Sequence, residues 1–384
     1  MSWVTEPPPL AEVLAAMRVV SIPTRTRFRG ISVREAAVFD APVGPSEFSP
    51  FTEYDDAEAA PWLAAALDYG WRAQPEPRRP RIEVNATVPA VAPEDVAGIL
   101  ARFPGCRTAK VKVAERGQTL ADDVARVREV RALMGPDARV RVDANTGWSV
   151  DEAVAALTAL ATYDLDYAEQ PCATVPELAA VRERLTAAGT PVRIAADESV
   201  RKASDPLAVA RAGAADLIIV KAQPLGGVAR ALEIVREAGL PVVVSSALDT
   251  SVGISMGAHL AAALPDGMLA GACGLGTVAL LDGDVTTTSL VPEGGSIPVA
   301  RPELSAPLLD RYAASPERTA WWRERVARCH ALLTGGGAEA GPRGLTARGR
   351  PRRGPGARPH RATRASPTRS AGAPDRRGRS RLPR

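Results

Sequence analysis

The segment Arg-Val-Arg-Val-Asp-Ala-Asn, residues 139–145, joins a short valine-rich run to a carboxylate at its end. Four further segments have the same form, and the charged residues that end the five runs are Lys112, Asp143, Glu169, Asp197 and Lys221. Successive members are 31, 26, 28 and 24 residues apart, which is the length of one strand, one crossover helix and two loops. The spacing therefore predicts a repeated βα unit.

In a barrel of such units, the strand ends and the βα loops gather on one face. Asp143, Glu169 and Asp197 would meet there, and three clustered carboxylates need a cation or protons to offset their charge. Oxygen ligands favour a hard ion, Mg²⁺ before Mn²⁺. With Lys112 and Lys221 on either side, the sequence predicts acid/base chemistry at a carbon next to a metal-bound carboxylate.

The five segments, with their motifs Lys-Val-Lys, Asp-Ala-Asn, Glu-Gln-Pro and Asp-Glu-Ser followed by Lys221, resemble the enolase superfamily over about residues 14–333. The resemblance is to the muconate-lactonizing subgroup, which has one lysine on each side of the metal. Residues 242–249 contain no histidine, whereas the mandelate-racemase branch has one at this strand end. The resemblance implies an α/β fold, a (β/α)7β barrel with a small α+β capping domain.

Residues 47–54, Glu-Phe-Ser-Pro-Phe-Thr-Glu-Tyr, are similar to o-succinylbenzoate synthases of menaquinone biosynthesis. This similarity implies a Mg²⁺-dependent lyase that removes water from 2-succinyl-6-hydroxy-2,4-cyclohexadiene-1-carboxylate by syn elimination. By the same resemblance, Lys112 takes the proton and later protonates the departing hydroxyl, while Lys221 supplies positive charge. The three acids bind the metal.

Further residues are candidates for substrate binding or support. Lys110 lies two residues before Lys112, so both side chains should face the barrel interior and each pKa should be depressed by the other charge. We expect Glu198 to point away from the metal and Asn145 to orient the ligands, while Asn85 is either a polar core residue or a substrate contact. The remaining substrate candidates are Arg27, Ser245, Ser246, Gly274, Gly276 and Thr277.

Arg27 belongs to a basic loop predicted between Arg25 and Arg29, which is either a solvated surface loop or a lid over a dianionic substrate. The resemblance favours the lid. The same site residues also suit an N-succinylamino acid racemase, as an alternative or a second activity, or another lyase, epimerase or cycloisomerase of the superfamily. Residues 273–276, Cys-Gly-Leu-Gly, replace the Asp-x-Asp pair of dipeptide epimerases.

The composition indicates a soluble enzyme with no specific nucleic-acid partner. The net charge of +4 is an average, because residues 335–384 hold fourteen arginines against two acids and so leave −8 for the first 334 residues. This Arg/Pro/Gly-rich tail is predicted to be disordered. No long apolar run or signal-like N-terminus is present, which predicts a cytoplasmic protein. The four cysteines are widely spaced and predict buried free thiols.

The patterns also predict the domain limits. A capping domain would comprise residues 1–80 and a return segment of about 285–334, and the barrel would comprise residues 81–284, followed by the tail. The first barrel strand is expected at Ile82–Val88, and the eighth, a weak one interrupted by glycine, at Met268–Cys273.

Overall fold

A computed structural model describes residues 6–190, 192–201 and 207–335. The predicted disordered tail, apart from Gly335, lies outside these residues. Within them, no helix is both long enough and apolar enough to cross a membrane.

Parallel strands form the centre of the fold. Seven of them, β5 to β11, pair side by side in chain order, as a repeated βα unit requires. Their inner and outer residues are nearly all buried, because helices cover a barrel from outside. The strands are β1 Met17–Phe28, β2 Ile31–Phe39, β3 Ser46–Phe48, β4 Arg81–Glu83, β5 Ala86–Val88, β6 Thr108–Lys112, β7 Arg139–Asp143, β8 Leu165–Glu169, β9 Ile194–Ala196, β10 Leu217–Val220, β11 Val242–Val244 and β12 Ser296–Pro298.

The predicted eighth strand closes the barrel through separate bridges and not as a regular strand. Leu269 bridges Val242 and Gly274 bridges Ser245 at the β11 edge, while Cys273 bridges Val84 beside β5. Gly271, with a φ of 123°, interrupts the segment in a conformation that other residues rarely adopt. The ring is therefore closed where the sequence predicted a weak strand.

The sequence predicts a helix after most strands, and two of these predictions, Leu120–Met134 and Val228–Ala238, match α4 and α9. Several begin with a capping box, as Ser149 and Glu152 do at α5. The helices are α1 Leu10–Ala15, α2 Asp56–Trp71, α3 Val96–Leu100, α4 Leu120–Met134, α5 Val150–Leu160, α6 Val175–Ala187, α7 Glu198–Arg201, α8 Ala208–Arg211, α9 Val228–Ala238, α10 Ser251–Ala263, α11 Ala306–Arg311 and α12 Pro316–Gly335.

The expected first barrel strand is two strands. Only β5 belongs to the barrel, whereas β4 pairs antiparallel with β12. Asn85 lies between them, fully buried, and its amide donates to Ala86 O at 2.9 Å and Thr87 Oγ1 at 3.3 Å. Asn85 is therefore a polar core residue in this structure.

The capping domain is built on the antiparallel sheet β1–β2–β3, against which α2 and α12 pack. Trp322 of α12 is fully buried and meets Phe48 edge-on, with ring centroids 5.7 Å apart. Its helical position in the sequence predicts this packing role for Trp322. The sequence also predicts one C-terminal helix at Pro307–Leu333, whereas the structure has two, α11 and α12.

The prediction of a basic loop at Arg25–Arg29 is wrong. Strand β1 continues to Phe28, and only Arg29 and Gly30 form the turn into β2. Arg29 itself has a φ of 49°. In this part of the strand, Thr24 bridges Leu281 and Arg25 Nε donates to Leu281 O at 2.8 Å, contacts with a residue more than 250 positions away in sequence. The four cysteines are free, with Cys106 partly exposed and the others buried.

Candidate active site

The five charged residues that the sequence singled out lie at one end of the barrel. Parallel pairing places Lys112 beside Asp143, and Asp143 beside Glu169. Asp197 is the first residue after β9, and Lys221 the first after β10. All five line a single cavity, so the structure brings together every residue of the predicted constellation.

Lysine ammonium groups lie directly against the carboxylates. Lys110 Nζ donates to both oxygens of Glu169, at 2.9 and 3.0 Å, and lies 3.3 Å from Asp143 Oδ2. Lys112 Nζ donates to Asp143 Oδ2 at 2.5 Å, and Lys221 forms an ion pair with Asp197. Three ammonium groups thus offset three carboxylates, so these acids have no uncompensated charge of the kind that the sequence suggested.

Burial and these contacts shift the pKa values in opposite directions. Burial lowers the pKa of Lys112, and the positive charge of Lys110 adds to this effect against the attraction of Asp143. Burial also opposes the charge of Lys110, but Glu169 and Asp143 outweigh it and raise its pKa. The prediction of a depressed pKa is therefore wrong for Lys110, because the sequence could not show how closely that lysine meets two carboxylates.

The pKa values of the acids in the cavity also shift in opposite directions. Burial and the nearby charge of Asp143 raise the pKa of Glu169 to about 8, against the opposing attraction of Lys110. Burial acts in the same direction on Asp143, but Lys112 and Lys110 outweigh it and hold its pKa below the usual range. Neighbouring carboxylates on adjacent strands thus have unlike affinities for protons.

Two amide side chains, Asn145 in the cavity wall and Gln170 outside the lining, fix these groups. Asn145 Oδ1 accepts from Lys112 Nζ at 2.5 Å, and the Asn145 amide donates to Glu198 Oε1 at 3.3 Å. Gln170 Oε1 accepts from the backbone N–H of Asp197 at 2.9 Å. Gln170 was missed by sequence reasoning, although it is the middle residue of the Glu-Gln-Pro motif.

The other predicted substrate contacts divide into two groups. Ser245, Ser246, Gly274 and Thr277 line the cavity with Lys110, whereas Gly276 and Arg27 do not. Gly276 packs against Phe103, and Arg27 is exposed. Phe28 and Thr87 also line the cavity and were not predicted, whereas Arg29 belongs to the basic segment considered as a lid and Ala247 to the loop after β11 that was expected to contact the substrate.

Known proteins resemble the chain throughout the described fold. Residues 19–70 match the Enolase N-terminal domain-like family and residues 95–303 the Enolase C-terminal domain-like family. The o-succinylbenzoate synthase of Mycolicibacterium smegmatis is 54% identical over 85% of this chain and 98% of its own length. That of Mycobacterium tuberculosis is 52% identical over 85% and 97%. The chain belongs to the o-succinylbenzoate synthase family of the enolase superfamily.

Solved structures of the superfamily share the fold of this family member. The 2-chloromuconate cycloisomerase of Rhodococcus opacus superposes with a TM-score of 0.63 at 22% identity, covering 78% of this chain and 98% of its own. A dipeptide epimerase of Enterococcus faecalis, complexed with Mg and the dipeptide L-Leu-L-Tyr, gives 0.61 at 22% identity over 75% and 96%.

The acids of this family member fit a divalent cation by their chemistry. In the described part of the chain, no three His, Cys, Asp or Glu side chains are already arranged as a ligand group. The lysine ammonium groups lie against the oxygens that a cation would need. Even so, Asp143, Glu169 and Asp197 offer hard oxygen donors to one cavity, where burial and the charge of Asp143 raise the pKa of Glu169 and a bound cation would oppose that shift.

Proposed function

We propose that this protein is a cytoplasmic enzyme of menaquinone biosynthesis that converts 2-succinyl-6-hydroxy-2,4-cyclohexadiene-1-carboxylate into 2-succinylbenzoate and water. The observation that carries the proposal is the common cavity lined by Lys112, Lys221 and the three acids. Membership of the o-succinylbenzoate synthase family supports the choice of substrate.

Lys112 is our candidate for the acid/base group. A syn elimination removes the proton and the hydroxyl from the same face of the ring, so a single side chain can serve both. Lys112 Nζ would accept the proton from the carbon that bears the carboxylate, and then donate it to the hydroxyl that leaves the neighbouring carbon as water. The lysine ends in its original protonation state, and the ring becomes aromatic.

Lys221 faces Lys112 across the barrel. Strands β6 and β10 are separated by three strands on one side of the ring and by three further segments, including the bridged residues 268–274, on the other. Lys221 would therefore hold positive charge on the opposite face of the substrate, where it attracts the electrons that are released with the proton.

Asp143, Glu169 and Asp197 would hold Mg²⁺, with Mn²⁺ as a substitute. When bound, the ion supplies positive charge beside the substrate carboxylate and stabilises the negative charge that develops on loss of the proton. The lysines that now contact these acids would turn toward the substrate.

The succinyl end of the substrate would contact Ser245, Ser246, Gly274 and Thr277. Ser246 Oγ donates to Gly274 O at 2.7 Å and lies 2.8 Å from Thr277 Oγ1, so these residues already form one connected wall. Arg29, which lines the cavity from the β1–β2 turn, would take the role that we expected of Arg27. A guanidinium there suits a dianionic substrate.

A second candidate activity is racemisation of N-succinyl amino acids. It is favoured by the placement of Lys112 and Lys221 on opposite sides of the cavity, since a racemase needs one base on each face of the reacting carbon. Both activities would then use the same cavity and the same ion.

Purified protein with Mg²⁺ should convert the cyclohexadiene into 2-succinylbenzoate. The rise in absorbance of the aromatic product measures this conversion. An assay with N-succinyl amino acids, read by optical rotation, tests the second candidate. No dehydration in the first assay, with racemisation in the second, would reverse the order of the two proposals.

A further inference from the structure

A buried polar cluster joins the capping domain to the loop that follows β11. Glu47 of β3 is fully buried, and its carboxylate reaches the start of α10 in the barrel. Its Oε2 accepts from the backbone N–H of Thr250 at 3.2 Å, from Thr250 Oγ1 at 2.5 Å and from the N–H of Gly253 at 3.0 Å. A capping-domain carboxylate thus satisfies free donors at the N-terminus of a barrel helix.

Arg34 of β2 holds the same loop one residue earlier. It is 3% exposed, and its Nε donates to Leu248 O at 3.1 Å. Its Nη2 donates to Ser49 O and lies 3.9 Å from Asp249 Oδ1. A buried guanidinium has these partners in place of water, so the loop and the capping domain must lie in this relation for Arg34 to be satisfied.

The loop held in this way is strained and closely packed. Leu248 has a φ of 65°, a conformation that a leucine adopts only when its surroundings enforce it. A Cβ added at Gly253 would lie 2.7 Å from Asp249 Cβ and 2.9 Å from Glu47 Cδ, so no side chain fits between them. The loop therefore depends on the capping domain for its conformation.

The same loop forms part of the cavity wall. Ser245, Ser246 and Ala247 line the cavity and are followed directly by Leu248. A change in the backbone at Leu248 would move these three residues relative to Lys221 on the adjacent strand.

We propose that Glu47 and Arg34 are positioning residues, through which the capping domain fixes residues 245–250 in the conformation that completes the substrate-binding wall. This inference rests on the proposed function for its kinetic consequences only. Neither side chain lines the cavity, so both would act through the loop and not on the substrate.

The test compares three changes at Glu47. Glu47→Ala removes the carboxylate that accepts hydrogen bonds from Thr250 and Gly253. Glu47→Asp moves the carboxylate away from these donors by one methylene, while it keeps the charge and the fold. We expect each to raise KM for the cyclohexadiene on the order of tenfold or more, with kcat changed less, since a charged buried hydrogen bond is lost. Glu47→Gln keeps an acceptor oxygen and should restore KM to within about threefold.

Amide hydrogen exchange supplies a readout that needs no substrate. Residues 245–253 should exchange on the order of tenfold faster in Glu47→Asp, and near the original rate in Glu47→Gln. Glu35→Gln is the matched control, because Glu35 lies beside Arg34 on β2 but bonds to Arg318 and Trp322 of α12. It should leave both KM and the exchange of residues 245–253 unchanged.

A double-mutant cycle separates positioning from general stability. If Glu47 acts through the wall, the effect of Ser246→Ala on KM should largely disappear in the Glu47→Asp background. Additive effects, or unchanged exchange of residues 245–253 in Glu47→Asp, would overturn the inference. Failure of the original protein to dehydrate the substrate would refute the proposed function, while the exchange data would still decide the role of Glu47.

Discussion

Glu47 should make the stability of the folded protein depend on pH between 5 and 8. Burial and the neighbouring Asp249 raise the pKa of Glu47 to about 7, although Ser49 and Thr250 donate hydrogen bonds that oppose this shift. An unfolded glutamate has a pKa of about 4.3. The folded protein therefore binds this proton more tightly than the unfolded chain.

The direction of the pH dependence of stability follows from the raised pKa of Glu47. The stabilising contribution is complete below the unfolded pKa of about 4.3 and is lost as the pH rises through the folded pKa of about 7. The difference between about 7 and about 4.3 corresponds to about 4 kcal/mol of unfolding free energy, of which about two thirds should be lost between pH 5 and pH 8. Because the two carboxylates interact, the proton belongs to the pair of Glu47 and Asp249.

Urea unfolding at pH 5, 6, 7 and 8 measures this contribution. The original protein should lose on the order of 3 kcal/mol more over this range than Glu47→Gln, which has no titrating group at position 47. Glu35→Gln is again the control. Burial raises the pKa of Glu35, but hydrogen bonds from Arg318 and Trp322 outweigh it and lower the value, so its contribution is constant above pH 5. Parallel curves for the original protein and Glu47→Gln would refute the reasoning.

Three further predictions concern catalysis, metal binding and the tail. Lys112→Ala should reduce dehydration at least about 10²-fold and abolish exchange of the substrate α-proton with deuterated solvent, whereas Lys221→Arg should keep some dehydration; the reverse pattern would exchange their roles. Asp143→Asn, Glu169→Gln and Asp197→Asn should each weaken Mg²⁺ binding about tenfold or more by calorimetry, and an equal loss in Glu198→Gln would show that the wrong acid of that pair was chosen. A chain truncated after Gly337 should keep its turnover and melt within about 2 °C of the full chain, unless the tail packs on the fold.

The barrel and the five charged residues were predictable because both depend on one repeat length. A strand, a helix and two loops recur at 24 to 31 residues, and a closed barrel then leaves no freedom in where the strand ends meet. The spacing of the charged residues from Lys112 to Lys221 was thus enough to predict both the fold and the placement of the site residues.

Contacts between distant segments could not be predicted in this way. The run Arg25 to Arg29 has the composition of a loop, but β1 continues to Phe28, because Thr24 bridges Leu281 and Phe28 pairs with Ile31 of β2. Glu47 lies in the segment 47–54 that is similar to o-succinylbenzoate synthases. Its hydrogen-bond partners Thr250 and Gly253 lie about 200 residues further along the chain. Sequence pattern identifies neighbours in a repeat and not the partner of a single buried charge.

The charges of the cavity wall explain why Lys112 suits the role of base. The described lining residues carry four positive groups, Arg29, Lys110, Lys112 and Lys221, against the carboxylates of Asp143, Glu169 and Asp197. With Lys112 neutral, three positive groups balance three negative ones. A divalent cation and a dianionic substrate then add equal and opposite charge, and the filled cavity stays neutral. A buried site of low dielectric penalises unbalanced charge, so the neutral amine that can accept the proton is favoured both before and after the cation and the substrate bind.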